Sequence, residues 1–212
     1  MKVYAEFIQE KSLNYRTRTI LQFGDSWDLI GSIVMKNPGS AFPTKMIDIK
    51  SFEEIQSRYA TSDLKNSNWF EFTPDPTMGQ VEKIFNGDYV SNPFELSGVI
   101  QIFNLFNIRE QNIQKAKALA ENNDSVYLYP DVNEVKKLFC NRPVYLAWRW
   151  EYLQINKSFA ENIFEYVKAS KFMYLENDII DNHFYHPGYI NRSYSKEIIQ
   201  KPLRLFRSFF NK

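Results

Sequence analysis

Residues 32–40 read Ser-Ile-Val-Met-Lys-Asn-Pro-Gly-Ser, a short apolar run that ends in a polar turn. Three later apolar runs also lead into distinctive motifs: residues 99–103 precede Asn104, residues 143–147 precede Trp148, and residues 172–175 lead towards His186. If the four runs are parallel strands, their carboxyl ends meet at one edge of a sheet. Open α/β sheets bind their ligands at that edge.

The rest of the chain predicts helices between these runs. Apolar residues recur at helical spacing over residues 78–85, 112–122, 132–139 and 159–167. Strands that alternate with helices are typical of a parallel sheet.

The N-terminal third carries a different pattern. Residues 3–8 and 15–23 are rich in β-branched and aromatic side chains, which favours an antiparallel hairpin at the edge of the sheet. Residues 61–76 are polar and interrupted by proline, which predicts a loop. We therefore expect a single domain over residues 1–212. It would be an α/β fold with three α/β/α layers around a central, mainly parallel four-stranded sheet, plus the N-terminal hairpin.

The composition narrows the possible partners. Lys and Arg number 26 and Asp and Glu 25, a formal charge of +1, so any nucleic-acid site must be a local patch. The single cysteine excludes an internal disulfide, and with two histidines the chain cannot build a Cys/His zinc site or an iron–sulfur cluster. No stretch approaches the ~18 apolar residues of a membrane span. We expect a cytoplasmic protein without metal, cofactor or membrane contact.

The motifs after the runs resemble, in order and in strand-end placement, those of the uracil-DNA glycosylase superfamily. The resemblance is carried by the Asn-Pro-Gly turn at residues 37–39, by Asn104, by Trp148 and by the sequence His-Pro-Gly-Tyr-Ile-Asn-Arg at residues 186–192. With Asp-Pro-Thr at residues 75–77, the finer pattern resembles the bacterial and phage family called domain of unknown function 1643.

The resemblance implies two catalytic residues. Asn37 would orient the attacking water, and His186 would donate a hydrogen bond to the departing base. An amide is no useful general base, so such a catalyst would be slow.

The resemblance also implies residues that bind the substrate. Pro38 and Gly39 would shape the loop, with the glycine allowing positive φ and a close approach of the backbone to the ligand. Asn104 would read the base edge, and Phe72 would stack on the base. Contacts to DNA would come from Ile190, as a wedge in the duplex, and from Arg192, on a flanking phosphate.

Three positions depart from the superfamily pattern. Gly188 and Tyr189 replace Ser and Pro after the His-Pro pair, and Arg149 replaces the Gly that follows Trp148. Arg149 would fill part of the pocket or supply the missing phosphate contact.

Three functions stay open at this point. The leading one is recognition of a base in DNA or a nucleotide, with hydrolysis of the N-glycosidic bond of a modified pyrimidine as its most specific form. The second is a non-catalytic relative that binds a nucleotide, modified DNA or a protein partner, which Asn37 in place of a carboxylate favours. The third is an enzyme on a free nucleoside or nucleotide, which the near-neutral charge tolerates better than a duplex substrate.

Overall fold

A computed structural model describes residues 1–39, 41–61, 64–121, 123–149, 155–175, 184–192 and 194–210. These residues form one seven-stranded sheet and six α-helices. The strands are β1 Lys2–Glu10, β2 Leu13–Phe23, β3 Leu29–Met35, β4 Pro43–Met46, β5 Trp69–Phe72, β6 Gly98–Asn104 and β7 Val144–Ala147. The helices are α1 Ile49–Tyr59, α2 Pro76–Phe85, α3 Ile113–Glu121, α4 Val132–Leu138, α5 Lys157–Ala169 and α6 Lys196–Ser208.

The sheet is mixed, and the expected four-stranded, mainly parallel sheet is wrong. The strand order is β4-β5-β1-β2-β6-β3-β7. Two pairings are parallel, those of β3 with β6 and with β7, whereas the other four pairings are antiparallel. The N-terminal hairpin of β1 and β2 lies inside the sheet and not at its edge, because β5 pairs with β1 and β6 pairs with β2.

The fourth expected strand, at residues 172–175, is not a strand. The side chain of Tyr174 lies beside β7 instead, and its hydroxyl accepts a hydrogen bond from the Leu146 N–H at 3.0 Å. The same hydroxyl donates to the Leu146 carbonyl oxygen at 2.7 Å. One side chain thus satisfies backbone groups that a neighbouring strand would otherwise pair.

Helices cover both faces of the sheet because successive strand residues point to opposite sides. Val144 and Leu146 join a core that includes α1, α3, α4 and α5. Tyr145 and Ala147, the alternate residues, join a second core that includes α2 and α6. We call this second side the α2–α6 face.

A β-bulge in the hairpin separates two arginines that regular spacing would place on one face. The register between β1 and β2 shifts between Glu6 and Phe7, which leaves Thr17 as an extra residue on β2. Arg18 therefore points to α1 and α4, where it contacts the Tyr59 carbonyl oxygen and Glu134. Arg16 lies on the α2–α6 face.

Candidate functional site

A cavity of about 570 Å³ lies at the carboxyl end of β3 on the α2–α6 face. Its walls come from the loop after β3, the first turns of α2 and the segment at residues 186–192. The lining residues are Met35, Lys36, Asn37, Gly39, Asp75, Pro76, Thr77, Gln80, Gln111, His186, Pro187, Gly188, Tyr189, Asn191 and Arg192. Four of the residues expected in a site are among them: Asn37, Gly39, His186 and Arg192.

Asn37 offers a hydrogen-bond acceptor to this cavity. Its Nδ2 donates to the carbonyl oxygens of Pro38 at 2.9 Å and Glu110 at 2.8 Å. Because a carbonyl oxygen can only accept, these two bonds decide which end of the amide is nitrogen. Within the described part of the chain no hydrogen bond uses Oδ1, so this oxygen is the group that a ligand or water meets.

His186 offers a hydrogen-bond donor to the same cavity. Its Nδ1 accepts a bond from the Gly188 N–H at 3.2 Å, at the start of the 3-10 turn Pro187–Tyr189. The acceptor role of Nδ1 places the proton of the neutral ring on Nε2. Burial, and secondarily the positive charge of Lys36, lower the pKa of His186 from 6.5 to about 3. The imidazole is therefore neutral at pH 7 and presents an Nε2–H.

Positive charge borders the cavity. The Lys36 ammonium donates to the Tyr189 hydroxyl at 3.4 Å and lies 5.5 Å from the centre of the Tyr189 ring. Arg192 also lines the cavity, and its side chain is exposed. Both cations can attract an anionic group of a ligand by Coulomb forces.

Asp75 is a lining residue that the sequence analysis did not select as a site residue. Its Oδ1 caps α2 by accepting the Met78 N–H at 3.0 Å. Its Oδ2 lies over Gly39, where a Cβ would be only 3.0 Å from that oxygen. Gly39 is not among the residues with positive φ, so the expected backbone freedom is not its role. The missing side chain instead makes room for the carboxylate. The sequence signal was Asp-Pro at the N-cap and first position of a helix.

Arg16 is a second residue that sequence reasoning missed. Its side chain is 1% exposed, and its Nε and Nη1 have no hydrogen-bond partner in the described residues. The guanidinium carbon lies 5.9 Å from the centre of the Phe72 ring. Burial lowers the pKa of Arg16 to about 10, an effect that the attraction of Asp75 opposes and the repulsion of Arg109 reinforces.

The structure keeps Phe72 and Ile190 away from the cavity lining. Phe72 is 2% exposed and packs in the core, so it presents no free face to a base. Ile190 is 4% exposed and packs in the same core, whereas a wedge for a DNA duplex must project from the surface.

Asn104 and Trp148 lie at their expected strand ends but do not line the cavity. Asn104 pairs with the lining residue Met35 in the ladder between β6 and β3. It is buried, and its Oδ1 has no hydrogen-bond partner among the described residues. Trp148 is fully buried against Phe184, with the ring centres 4.9 Å apart.

Pro38 and Arg149 also fall outside the lining. Pro38 is buried and contributes through its carbonyl oxygen, which holds Asn37. Arg149 is partly buried.

No group of three His, Cys, Asp or Glu side chains in the described ranges is placed to hold a metal ion. Of the helices in those ranges, none is long and apolar enough to cross a membrane.

Comparison of the chain with models of known families, with characterised proteins and with solved structures found no match.

Proposed function

We propose that the cavity recognises a base in a nucleotide and hydrolyses the N-glycosidic bond that joins the base to its sugar. The observation that carries the proposal is the meeting of Asn37 and His186 in one cavity. The resemblance had suggested both residues, from two motifs that lie far apart in the sequence.

The two side chains have complementary chemistry for this reaction. Breaking the glycosidic bond leaves its electron pair on the base, so negative charge develops there. A neutral His186 can donate its Nε2–H to the departing base, and such a donor typically contributes 10²–10³-fold to the rate. Asn37 can hold the attacking water through Oδ1. The His186 donor thus acts on the base, and the Asn37 acceptor acts on the water that attacks the sugar carbon.

The size and charge of the cavity fit a nucleotide. Its volume of about 570 Å³ lies within the ordinary range of small-molecule sites. Lys36 and Arg192 can contact the phosphate.

An unpaired substrate is favoured over a base within a duplex. Ile190, the expected wedge, is buried in the core and cannot fill the gap left by an extruded base. The net charge of +1 also gives little attraction to the dense charge of double-stranded DNA. We therefore propose a free nucleotide or a single-stranded nucleic acid as the substrate.

The test is a panel of substrates that carry uracil or another modified pyrimidine. The panel contains free nucleotides, single strands and duplexes, and the released base is measured by chromatography. We expect release without added metal, and a loss of about 10²-fold or more in His186→Asn. The control is Ile49→Ala, which changes a residue that is 69% exposed on α1, on the opposite face of the sheet.

Binding of one substrate without release would replace the hydrolase by a non-catalytic reader of bases. If neither binding nor release occurs, the nucleotide proposal is overturned.

A further inference from the structure

We propose that Asp75 is the general base that takes the proton of the attacking water. This inference rests on the proposed hydrolysis. It adds a catalytic residue contributed by the start of α2.

The reaction needs a group that Asn37 cannot supply. Water that bonds to the sugar carbon must lose a proton, and an amide oxygen is far too weak a base to take it at neutral pH. Asp75 is the only acidic residue among the lining residues described for the cavity. The turn at residues 37–39 has an amide and no carboxylate, so the carboxylate that can act as the base comes from the N-cap of α2.

The geometry fixes one oxygen of Asp75 and leaves the other available. Oδ1 is held by the Met78 N–H at 3.0 Å, which anchors the carboxylate on the first turn of α2. Oδ2 lies over Gly39, two residues after Asn37, and accepts no hydrogen bond in the described part of the chain. Asn37, Gly39 and Asp75 line the same cavity, so a water held by Asn37 Oδ1 would share that cavity with Oδ2.

A buried cation lies near this carboxylate. Burial lowers the pKa of the Arg16 guanidinium, and the attraction of the Asp75 charge partly opposes this by raising it. Nε and Nη1 of Arg16 have no hydrogen-bond partner in the described residues, so these atoms do not bond to Asp75. Arg16 therefore acts on the carboxylate through its charge.

The step balances as the addition of water across one bond. The bond between the sugar carbon and the base nitrogen breaks, and its electron pair leaves with the base, which His186 Nε2–H stabilises. The water oxygen bonds to the sugar carbon, and the proton of that water passes to Asp75 Oδ2. Asp75 then releases the proton to solvent, and the base anion takes up a proton from solvent.

The experiment compares Asp75→Asn with Glu165→Gln in the full chain. Asparagine is as good an N-cap as aspartate, so α2 should keep its bond to the Met78 N–H. Glu165→Gln is the matched control because it removes one carboxylate from the exposed side of α5, on the other face of the sheet. We measure single-turnover base release across pH, the Kd for the substrate and the thermal midpoint of unfolding.

If Asp75 is the base, Asp75→Asn loses about 10²–10⁴-fold in rate with Kd nearly unchanged. The thermal midpoint falls moderately, because the buried Arg16 loses the attraction of the Asp75 charge. The acidic limb of the pH–rate profile also disappears, and added formate partly restores the rate of Asp75→Ala. Glu165→Gln behaves as the parent protein.

The possible failures are distinguishable. If the parent protein releases base and Asp75→Asn stays within about threefold of it, the inference is overturned and the proposed function stands. A slower variant that keeps the acidic limb also overturns it, since the limb would then belong to another group. If the parent protein releases no base from any substrate, both proposals fail together.

Discussion

The neutral, buried His186 should make the free energy of unfolding fall between about pH 7.5 and pH 5. Its pKa in the folded chain is lowered from 6.5 to about 3, chiefly by burial and secondarily by Lys36. Between these two pKa values the unfolded state binds more protons, so acid favours unfolding. The full slope is about 1.4 kcal/mol per pH unit. At pH 5, about 1.5 units below the unfolded pKa, the accumulated loss is ~2 kcal/mol.

The assay is urea unfolding at both pH values for the parent protein and His186→Asn. Both proteins also carry His183→Asn, so that the other histidine of the chain does not titrate. Asparagine keeps an acceptor for the Gly188 N–H, and all carboxyl groups are common to the two proteins. The parent protein should lose ~2 kcal/mol more than the variant. Equal losses, within about 0.5 kcal/mol, would refute the neutral buried histidine.

Three further changes test other parts of the structure. Asn37→Ala removes the donor of two backbone carbonyl groups and should lower the free energy of unfolding in urea by about 1–3 kcal/mol; a smaller loss would mean that water replaces the amide. Gly39→Ala should slow base release at least ~10-fold because the added Cβ crowds a carboxylate at 3.0 Å, whereas Gly79→Ala, in open space on α2, should keep the rate and raise stability by about 0.5–1 kcal/mol. Equal rates in the two variants would contradict the close packing. Tyr174→Phe leaves the N–H and C=O of Leu146 unpaired and should cost about 1–3 kcal/mol in thermal or urea unfolding; an unchanged midpoint would show that Tyr174 is dispensable at this edge.

Local patterns in the sequence correctly indicated much of the secondary structure. The helices expected over 112–122, 132–139 and 159–167 occur as Ile113–Glu121, Val132–Leu138 and Lys157–Ala169. Helical periodicity is a property of a short segment, so the sequence reports it directly. The first three apolar runs are likewise adjacent parallel strands, in the order β6-β3-β7.

The sequence did not reveal the partners of the remaining strands. Trp69–Phe72 is a strand inside a segment expected to be a loop; its two end residues are buried, and it pairs with β1. Residues 172–175 are an apolar run that forms no strand. In both cases the decision depends on partners distant in the chain, and short apolar runs do not specify those partners.

The candidate site divides in the same way. The sequence selected Asn37 and His186 through the resemblance, because the short motifs that carry it, Asn-Pro-Gly at residues 37–39 and His-Pro-Gly at residues 186–188, are visible locally. Only the tertiary structure put Asp75 over Gly39, and only the bulge at Thr17 turned Arg16 to the same face. It also buried Phe72 and Ile190, since an aromatic or aliphatic side chain packs in a core or lies at a surface according to what the rest of the chain places around it. The sequence determines which chemical groups the chain carries, whereas strand order and packing determine which of these groups lie close together.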